Sequence, residues 1–322
     1  MSSSSTLSAL QRARQLQAPK VCSTTGGETE HLDFWQAHET VIRDAWREWS
    51  STTKLPPLEE SSMISPQWLQ HVQTLRKFPT QENEQRLHKE LLDEPFKDVF
   101  LSPEFLTPRG IALIREHFRA INNSRIPTRR PNGMNRFGLV LDTETQGGVT
   151  YPEMDNMLDS LVENYLRPLG RSLYPDSIQE GDDVNFYAFT ISYEADENKD
   201  IQLKEHSDAS VVTFNINLNL PEEADYEGSS LLFENEQDKQ SPFELLMTPG
   251  ALCVHKGLHR HQALPIKSGQ RHQLIIWLFG KHGVVRFAPY EEEEQLLTVE
   301  KRWSTTEESP HWKGRSGWFG LL

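Results

Sequence analysis

The chain has 322 residues, of which 36% are hydrophobic and 25% are charged, a composition typical of a folded globular protein and not of a disordered one. Its 47 acidic residues against 33 lysines and arginines leave a net charge of −14, which argues against a general nucleic-acid-binding surface. No run reaches the roughly 18 consecutive apolar residues of a membrane span, and two cysteines cannot build a disulfide framework.

The first 27 residues differ from the rest because they contain no acidic residue and are rich in serine and glutamine. They lack the apolar stretch of a secretory signal, but an acid-poor segment with arginines resembles an organellar transit peptide. We therefore expect residues 1–30 to be a disordered or a targeting N-terminus. Cytoplasm or nucleus is the expected location, with organellar import as the alternative.

A helical N-terminal region is predicted over residues 31–105. Trp35, Trp46 and Trp49 recur at helical offsets, as residues that face a core do. Thr107 followed by Pro108 is typical of a helix N-cap and its first helical residue. The predicted helices cover residues 31–49, 66–78, 81–92, 108–122 and 152–173.

The hydrophobic period then changes from 3.6 to 2, which indicates strands. Helices first and many short strands afterwards predict an α+β protein with an antiparallel sheet or barrel. We assign residues 106–290 to this domain and residues 291–322 to an acidic, tryptophan-containing tail. The predicted strands cover residues 184–193, 211–220, 229–233, 245–247, 251–255, 271–279 and 284–287.

His206 and Asp208 form a His-x-Asp pair in the predicted sheet region. Residues i and i+2 of an extended segment point to the same side, so both side chains can bind one ion. Two other pairs of this kind, which begin at His31 and His88, lie in the helical half and lack this context. The sequence shows no GxGxxG, Walker, HExxH, GxSxG or cysteine-rich zinc pattern.

The strand after this pair alternates apolar residues with Thr213, Asn215, Asn217 and Asn219. In the simpler interpretation, this is a half-buried strand whose polar face meets water. The alternative is that the polar face continues from the metal site and lines a cavity in which hydroxyl and amide groups hold an organic acid.

His261 and Arg271 follow further along the chain, with Pro265 and a turn glycine between them. Two histidines and one carboxylate from distant strands form the facial triad of non-haem Fe(II) oxygenases, which leaves coordination positions open. A planar arginine matches the far carboxylate of a chelating 2-oxo acid in a bidentate way.

Three segments, HSDASVVTFNINLN, YEGSSLLF and GALCVHKGLHRHQALPIKSGQRHQLIIW, resemble the catalytic domain of 2-oxoglutarate- and iron-dependent dioxygenases. The resemblance is strongest to the lysyl and prolyl hydroxylase branch, and RRPNGMNRFG resembles a motif of oxygenase-domain proteins in the same superfamily. The resemblance to this superfamily covers roughly residues 125–285. It implies a double-stranded β-helix, the jelly-roll or cupin-like fold, beneath an N-terminal helical cover.

The same resemblance assigns roles to individual residues. It implies that His206, Asp208 and His261 ligate Fe(II) and that Arg271 pairs with the C5 carboxylate of 2-oxoglutarate. Its spacing selects His261 over His255 and His259, which are then structural or supporting histidines. The remaining cosubstrate-binding residues that it implies are Tyr193, Asn215 and, less directly, Thr213.

The activity implied is hydroxylation of a substrate C–H coupled to oxidative decarboxylation of 2-oxoglutarate to succinate, with O₂ consumed and ascorbate as reductant. The substrate class is a protein or peptide side chain such as lysine or proline. The alternatives are a small metabolite or a non-catalytic metal- and 2-oxoglutarate-binding scaffold or sensor. We expect no membrane partner. The net charge of −14 argues against a nucleic-acid partner, although the arginine cluster described next leaves a nucleobase substrate open.

A cluster of arginines follows the fourth predicted helix, at Arg125, Arg129, Arg130 and Arg136. One interpretation is a solvated loop. The other is a rim that faces the substrate, with Asn135 and Arg136 near the mouth of the site.

Overall fold

The structure is a computed structural model that describes residues 7–19, 28–131, 137–141, 145–196, 198–223, 225–235, 241–280, 283–286 and 296–304, with side chains in the second range from residue 32. Nine helices are found in this part of the chain. They are α1 (Ala9–Ala13), α2 (Glu28–Thr52), α3 (Glu60–Met63), α4 (Pro66–Lys77), α5 (Gln81–Leu91), α6 (Pro108–Asn123), α7 (Pro152–Leu161), α8 (Arg167–Leu173) and α9 (Val299–Trp303). A π-helical segment, Val162–Leu166, joins α7 to α8, so the predicted helix over 152–173 is continuous.

The helix ends follow local chemistry. Thr107 caps α6, because its hydroxyl accepts a hydrogen bond from the Gly110 amide at 2.9 Å. The first predicted helix was expected to end before Ser50, but α2 continues to Thr52. The hydroxyls of Ser50, Ser51 and Thr52 donate to carbonyls one turn earlier, so the helix continues through them. None of the described helices is long and apolar enough to cross a bilayer.

Twelve strands are described. They are β1 (Asp93–Phe96), β2 (Val99–Ser102), β3 (Asn185–Glu194), β4 (Leu203–His206), β5 (Val212–Asn217), β6 (Glu227–Gly228), β7 (Leu231–Phe233), β8 (Phe243–Leu245), β9 (Leu252–Lys256), β10 (His261–Ala263), β11 (Ile266–Ser268) and β12 (Gln270–Phe279).

The strands form two main antiparallel sheets. The larger has the order β1-β2-β9-β5-β12-β3, the smaller has the order β4-β10-β7-β8, and β6 pairs separately with β11. From β3 to β5 and again from β9 to β12, the chain crosses between the larger and the smaller sheet and back. This winding is that of a double-stranded β-helix, which confirms the predicted α+β jelly-roll fold.

The larger sheet separates two hydrophobic cores. Val212, Phe214 and Ile216 of β5 face the helices, where they join a cluster that includes Trp35 and Trp46. The second core lies inside the double-stranded β-helix and is formed largely by side chains of the opposite strand faces, among them Tyr193, Phe233 and Cys253. The predicted helical cover therefore packs against the outer face of the larger sheet.

Some strands differ from the prediction. Residues 93–102, predicted as part of a helical region, form the β1–β2 hairpin because β2 pairs with β9, a partner far along the chain. Residues 284–286 are not a strand, and the Gly280 amide donates to the Val284 carbonyl. Phe287 lies outside the described residues. The strand expected over 245–247 lies two residues earlier, and the division of the chain at residue 105 stays a prediction.

Candidate active site

The three predicted metal ligands lie together at one end of the smaller sheet. His206 on β4 and His261 on β10 are cross-strand partners, and their ring centres are 4.4 Å apart. Asp208 follows β4, and its carboxylate lies 3.3 Å from His206 Nε2 and 3.8 Å from His261 Nε2. One ligand atom from each residue falls within 4.8 Å of the other two, so the arrangement can hold a metal ion.

Backbone carbonyls fix the orientation of both imidazole rings. His206 Nδ1 lies 2.7 Å from the Lys204 carbonyl oxygen, and His261 Nδ1 lies 2.9 Å from that of His259. Because a carbonyl only accepts, each Nδ1 carries the hydrogen and donates it. Each Nε2 is then directed toward Asp208 as the atom that can ligate a cation.

The Asp208 carboxylate is kept ionised. Burial raises the pKa of this carboxyl, but neighbouring His261 and the contacts with His206, His255 and Thr213 more than offset it, and the pKa falls well below its usual range. The Thr213 hydroxyl donates to Asp208 Oδ2 at 2.6 Å. Burial lowers and Asp208 raises the pKa of His206, with a net rise. The site thus offers an anionic oxygen to a cation, and a metal ion at His206 Nε2 would have to displace a proton that Asp208 favours there.

Arg271 lies inside the double-stranded β-helix and is 1% exposed. It is opposite Tyr193 on β3, and its guanidinium carbon is 6.0 Å from the centre of the Tyr193 ring. Among the described residues no carboxylate forms an ion pair with this guanidinium. Since a buried arginine is almost always paired, the site is suited to an anion from outside the chain.

The hydroxyl of Tyr193 supports the same conclusion. It is fully buried and has no hydrogen-bond partner in the described part of the chain. Burial raises the pKa of this phenol above its usual value, so the hydroxyl remains a donor at neutral pH. A carboxylate beside Arg271 and Tyr193 would satisfy both groups at once.

The polar face of β5 is buried inside the double-stranded β-helix. Thr213 hydrogen-bonds Asp208, and the Asn215 amide nitrogen lies 3.1 Å from His255 Nε2. Asn217 donates to the Met247 carbonyl, and Asn219 to the Gln270 carbonyl. The structure therefore favours the interior interpretation of this strand over a solvent-facing one.

Known proteins of similar sequence are oxygenase domain-containing proteins. Residues 50–179 match the OGFOD2-like domain family. The 2-oxoglutarate and iron-dependent oxygenase domain-containing protein 2 of Danio rerio is 32% identical over 228 residues, 68% of this chain and 60% of that protein. Its Xenopus tropicalis namesake is 29% identical over 62% of this chain and 54% of its own length.

Over the matched segments, the chain is similar to 2-oxoglutarate and iron-dependent oxygenase domain-containing proteins. It spans about half the length of the curated relatives it matches, which include the Arabidopsis thaliana protein CP2 of the same description, 27% identical over 61% of this chain and 49% of the relative.

Solved structures are less similar. A Trichoplax adhaerens prolyl hydroxylase in complex with a hypoxia inducible factor peptide has a TM-score of 0.44 and 14% identity over 68% of this chain and 95% of its own. A Pseudomonas putida prolyl-4-hydroxylase has a TM-score of 0.42 and 14% identity over 57% of this chain and 93% of its own.

Among the described residues, the other histidines lie outside the group of ligand atoms formed by His206, Asp208 and His261. His259 Nε2 contacts the Glu234 carbonyl, and His272 lies on the opposite face of β12 from Arg271, where its Nδ1 is 3.1 Å from the Ser192 hydroxyl. His255 is buried beside the site and is treated below. The structure thus groups His261, and not its neighbours, with His206 and Asp208.

The arginine cluster is only partly described. The Arg129 guanidinium donates to the Gln146 carbonyl and Arg130 to the Gly138 carbonyl, so both brace the segment in which they lie. Asn135 and Arg136, the predicted substrate residues, lie outside the described residues.

Ser229 is a site residue that sequence reasoning missed. Its hydroxyl lies 3.4 Å from Arg271 Nη1, and it is fully buried. Its φ of 56° falls in the left-handed region, which serine rarely adopts, and its amide donates to the Pro265 carbonyl. The only signal in the sequence was the Gly-Ser-Ser turn after Tyr226.

Proposed function

We propose that this chain is an Fe(II)-dependent oxygenase that couples decarboxylation of 2-oxoglutarate to hydroxylation of a substrate C–H. The observation that supports it most strongly is the convergence of His206, Asp208 and His261 within 4.8 Å, inside the same fold as a buried arginine that has no carboxylate partner among the described residues. A metal and a dicarboxylate would satisfy these two features together.

His206, Asp208 and His261 would hold the iron. The donor set fits Fe(II), because two neutral imidazoles and one carboxylate leave coordination positions open for other ligands. When bound, the iron would supply the activation of dioxygen and the oxidation of the cosubstrate and substrate. The chain itself keeps the carboxylate ionised through Thr213 and holds both imidazoles in place through their Nδ1 hydrogen bonds.

Arg271 would bind the C5 carboxylate of 2-oxoglutarate, with the orphaned Tyr193 hydroxyl and the Ser229 hydroxyl as additional partners. Asn215 would contact the cosubstrate between this end and the metal ligands. Thr213 would act through Asp208, since its hydroxyl is already engaged there. Exclusion of water from this interior strengthens each of these charge-assisted hydrogen bonds.

For the substrate, we propose a protein side chain of the lysine or proline type. The motif resemblance to the hydroxylase branch supports this choice. So does the rim of the site, where Leu258 is 50% exposed and its carbonyl accepts a hydrogen bond from Ser207, between the two ligands of the His-x-Asp pair. Arg260, next to His261, pairs with Glu205 and Glu234 on the same rim.

The decisive experiment measures succinate release from 2-oxoglutarate by the purified full chain with Fe(II), in the presence and in the absence of ascorbate as reductant. We expect slow substrate-independent release that is abolished in Asp208→Ala. Equal release by Asp208→Ala would remove Asp208 from the ligand set, and no release by the wild type together with no 2-oxoglutarate binding would refute the proposed activity. Peptide mapping of lysates treated with either protein would then identify the modified side chain.

A further inference from the structure

His255 is a fully buried histidine of β9 that lies against the metal-ligand set without being part of it. It is the cross-strand partner of Thr213 on β5. Its Nε2 is 4.0 Å from Asp208 Oδ2, and its ring centre is 4.5 Å from that of His261. A buried imidazole at this place needs partners for both nitrogens.

Both partners are present, and they fix its tautomer. His255 Nδ1 lies 2.9 Å from the Lys256 carbonyl oxygen, so Nδ1 carries the hydrogen and donates it. Nε2 is then an acceptor, and the atom that reaches it, at 3.1 Å, is the side-chain nitrogen of Asn215. The amide nitrogen of Asn215 therefore faces His255, because its oxygen would meet a second lone pair there.

Asn215 occupies the middle of the interior face of the larger sheet. Thr213, two residues before Asn215, contacts Asp208. The cross-strand partner of Asn215 on β12 is Ile275, which lies four residues after Arg271 and on the same face of the strand. Asn215 is thus placed between the metal ligands and the arginine. The second N–H of its amide has no partner among the described residues.

We propose that His255 is a positioning residue for the cosubstrate: by accepting one N–H of Asn215, it fixes the amide so that the second N–H, and not the amide oxygen, faces 2-oxoglutarate. The inference rests on the proposed function. A flipped amide would direct its oxygen at a carboxylate or keto oxygen, which repels it. His255 acts through Asn215 and does not ligate the metal.

The test is calorimetry on the full chain, with Mn(II) as a probe metal that does not turn over and 2-oxoglutarate as ligand. His255→Phe keeps an aromatic ring beside Phe233, whose centre is 5.2 Å from that of His255, and removes the acceptor. We expect its Kd for 2-oxoglutarate to rise about tenfold, with the Kd for Mn(II) within about threefold of wild type. His255→Gln, which retains an acceptor, should restore most of the affinity.

A double-mutant cycle separates this role from a general one. Asn215→Ala should weaken 2-oxoglutarate binding, and adding His255→Phe to it should cause no further loss, since the two residues act as a unit. The control is His272→Leu, which removes a histidine from the opposite face of β12 and should leave both affinities unchanged.

Additive losses in the cycle, an unchanged Kd in His255→Phe or Asn215→Ala, or a large loss of Mn(II) affinity in His255→Phe would each overturn the proposal. These outcomes differ from failure of the proposed function, in which the wild type itself would not bind 2-oxoglutarate. If His255→Phe does not fold, Asn215→Ala and His255→Gln still decide the matter: the first must lose affinity and the second must keep it.

Discussion

Tyr193 and Arg271 are opposed residues of β3 and β12 in the interior of the double-stranded β-helix; among the described residues the Tyr193 hydroxyl has no hydrogen-bond partner and the Arg271 guanidinium has no carboxylate partner. Arg271→Leu should raise the Kd for 2-oxoglutarate by about 10- to 100-fold, because a charge-assisted hydrogen-bonding partner is lost. The ligand-free variant should be no less stable than wild type, since a buried unpaired cation is removed. Calorimetry and thermal unfolding measure the two effects; an unchanged Kd would remove Arg271 from the cosubstrate site.

Ser229 combines a left-handed backbone with a hydroxyl beside Arg271, so two substitutions separate the two properties. Ser229→Ala and Ser229→Gly both lose the hydroxyl and should weaken 2-oxoglutarate binding by a similar factor. Glycine tolerates the φ of 56°, so the Gly variant should be more stable than the Ala variant by about 1 kcal/mol. Equal stability of the two variants, measured by urea unfolding, would argue that the backbone is not strained there.

His272 should make the stability of the fold depend on pH. Burial, helped by Arg115 and opposed by Glu223, lowers the pKa of His272 to about 4. In the unfolded chain this histidine binds a proton below its ordinary pKa near 6.5, whereas the folded protein excludes it, so stability falls as pH drops from about 6.5 to about 4.

The contribution approaches roughly 1.4 kcal/mol per pH unit within this window. Urea unfolding of wild type and His272→Leu at several pH values measures it. As the pH falls, the free energy of unfolding of the wild type should decrease relative to that of His272→Leu. Parallel pH profiles would show that folding does not lower the pKa of His272.

A buried ion pair anchors α9 to the helical cover. Glu84 on α5 accepts hydrogen bonds from Arg302 at 2.9 and 2.5 Å and from the Trp303 indole at 2.8 Å. Arg302→Leu should cost about 3–5 kcal/mol because it leaves a buried carboxylate unpaired, and adding Glu84→Leu should recover part of the loss. Arg86→Leu breaks the exposed Arg86–Glu90 pair on the same helix and should cost far less than Arg302→Leu, because solvent screens an exposed pair.

The order of the site residues was predictable because it depends on short-range geometry. His206 and Asp208 share one side of an extended segment, and the polar residues of β5 alternate with apolar ones that pack under the helices. Arg271, near the start of the long strand β12, was predictable for the same reason. The turn glycine before it, Gly269, has a φ of 76°.

Features that depend on distant partners were not predictable. β4 is short and has no alternating pattern, so only its pairing with β10 reveals that His206 lies in a strand. The β1–β2 hairpin likewise depends on β9. The position of Ser229 beside Arg271 and the contact of Asn215 with His255 require the closed fold, because their partners are 42 and 40 residues away.

The position of β4 at the edge of the smaller sheet has a consequence for local stability. Among the described strands, this four-residue strand pairs with β10 alone, and the register is irregular between His261 and Ala263. A cation bound by His206 and His261 would cross-link the edge strand to its neighbour, so every opening of β4 would have to release the ion. Amide hydrogen exchange over residues 203–206 should therefore slow as Mn(II) is added, in proportion to metal occupancy, while the β3–β12 ladder exchanges as before.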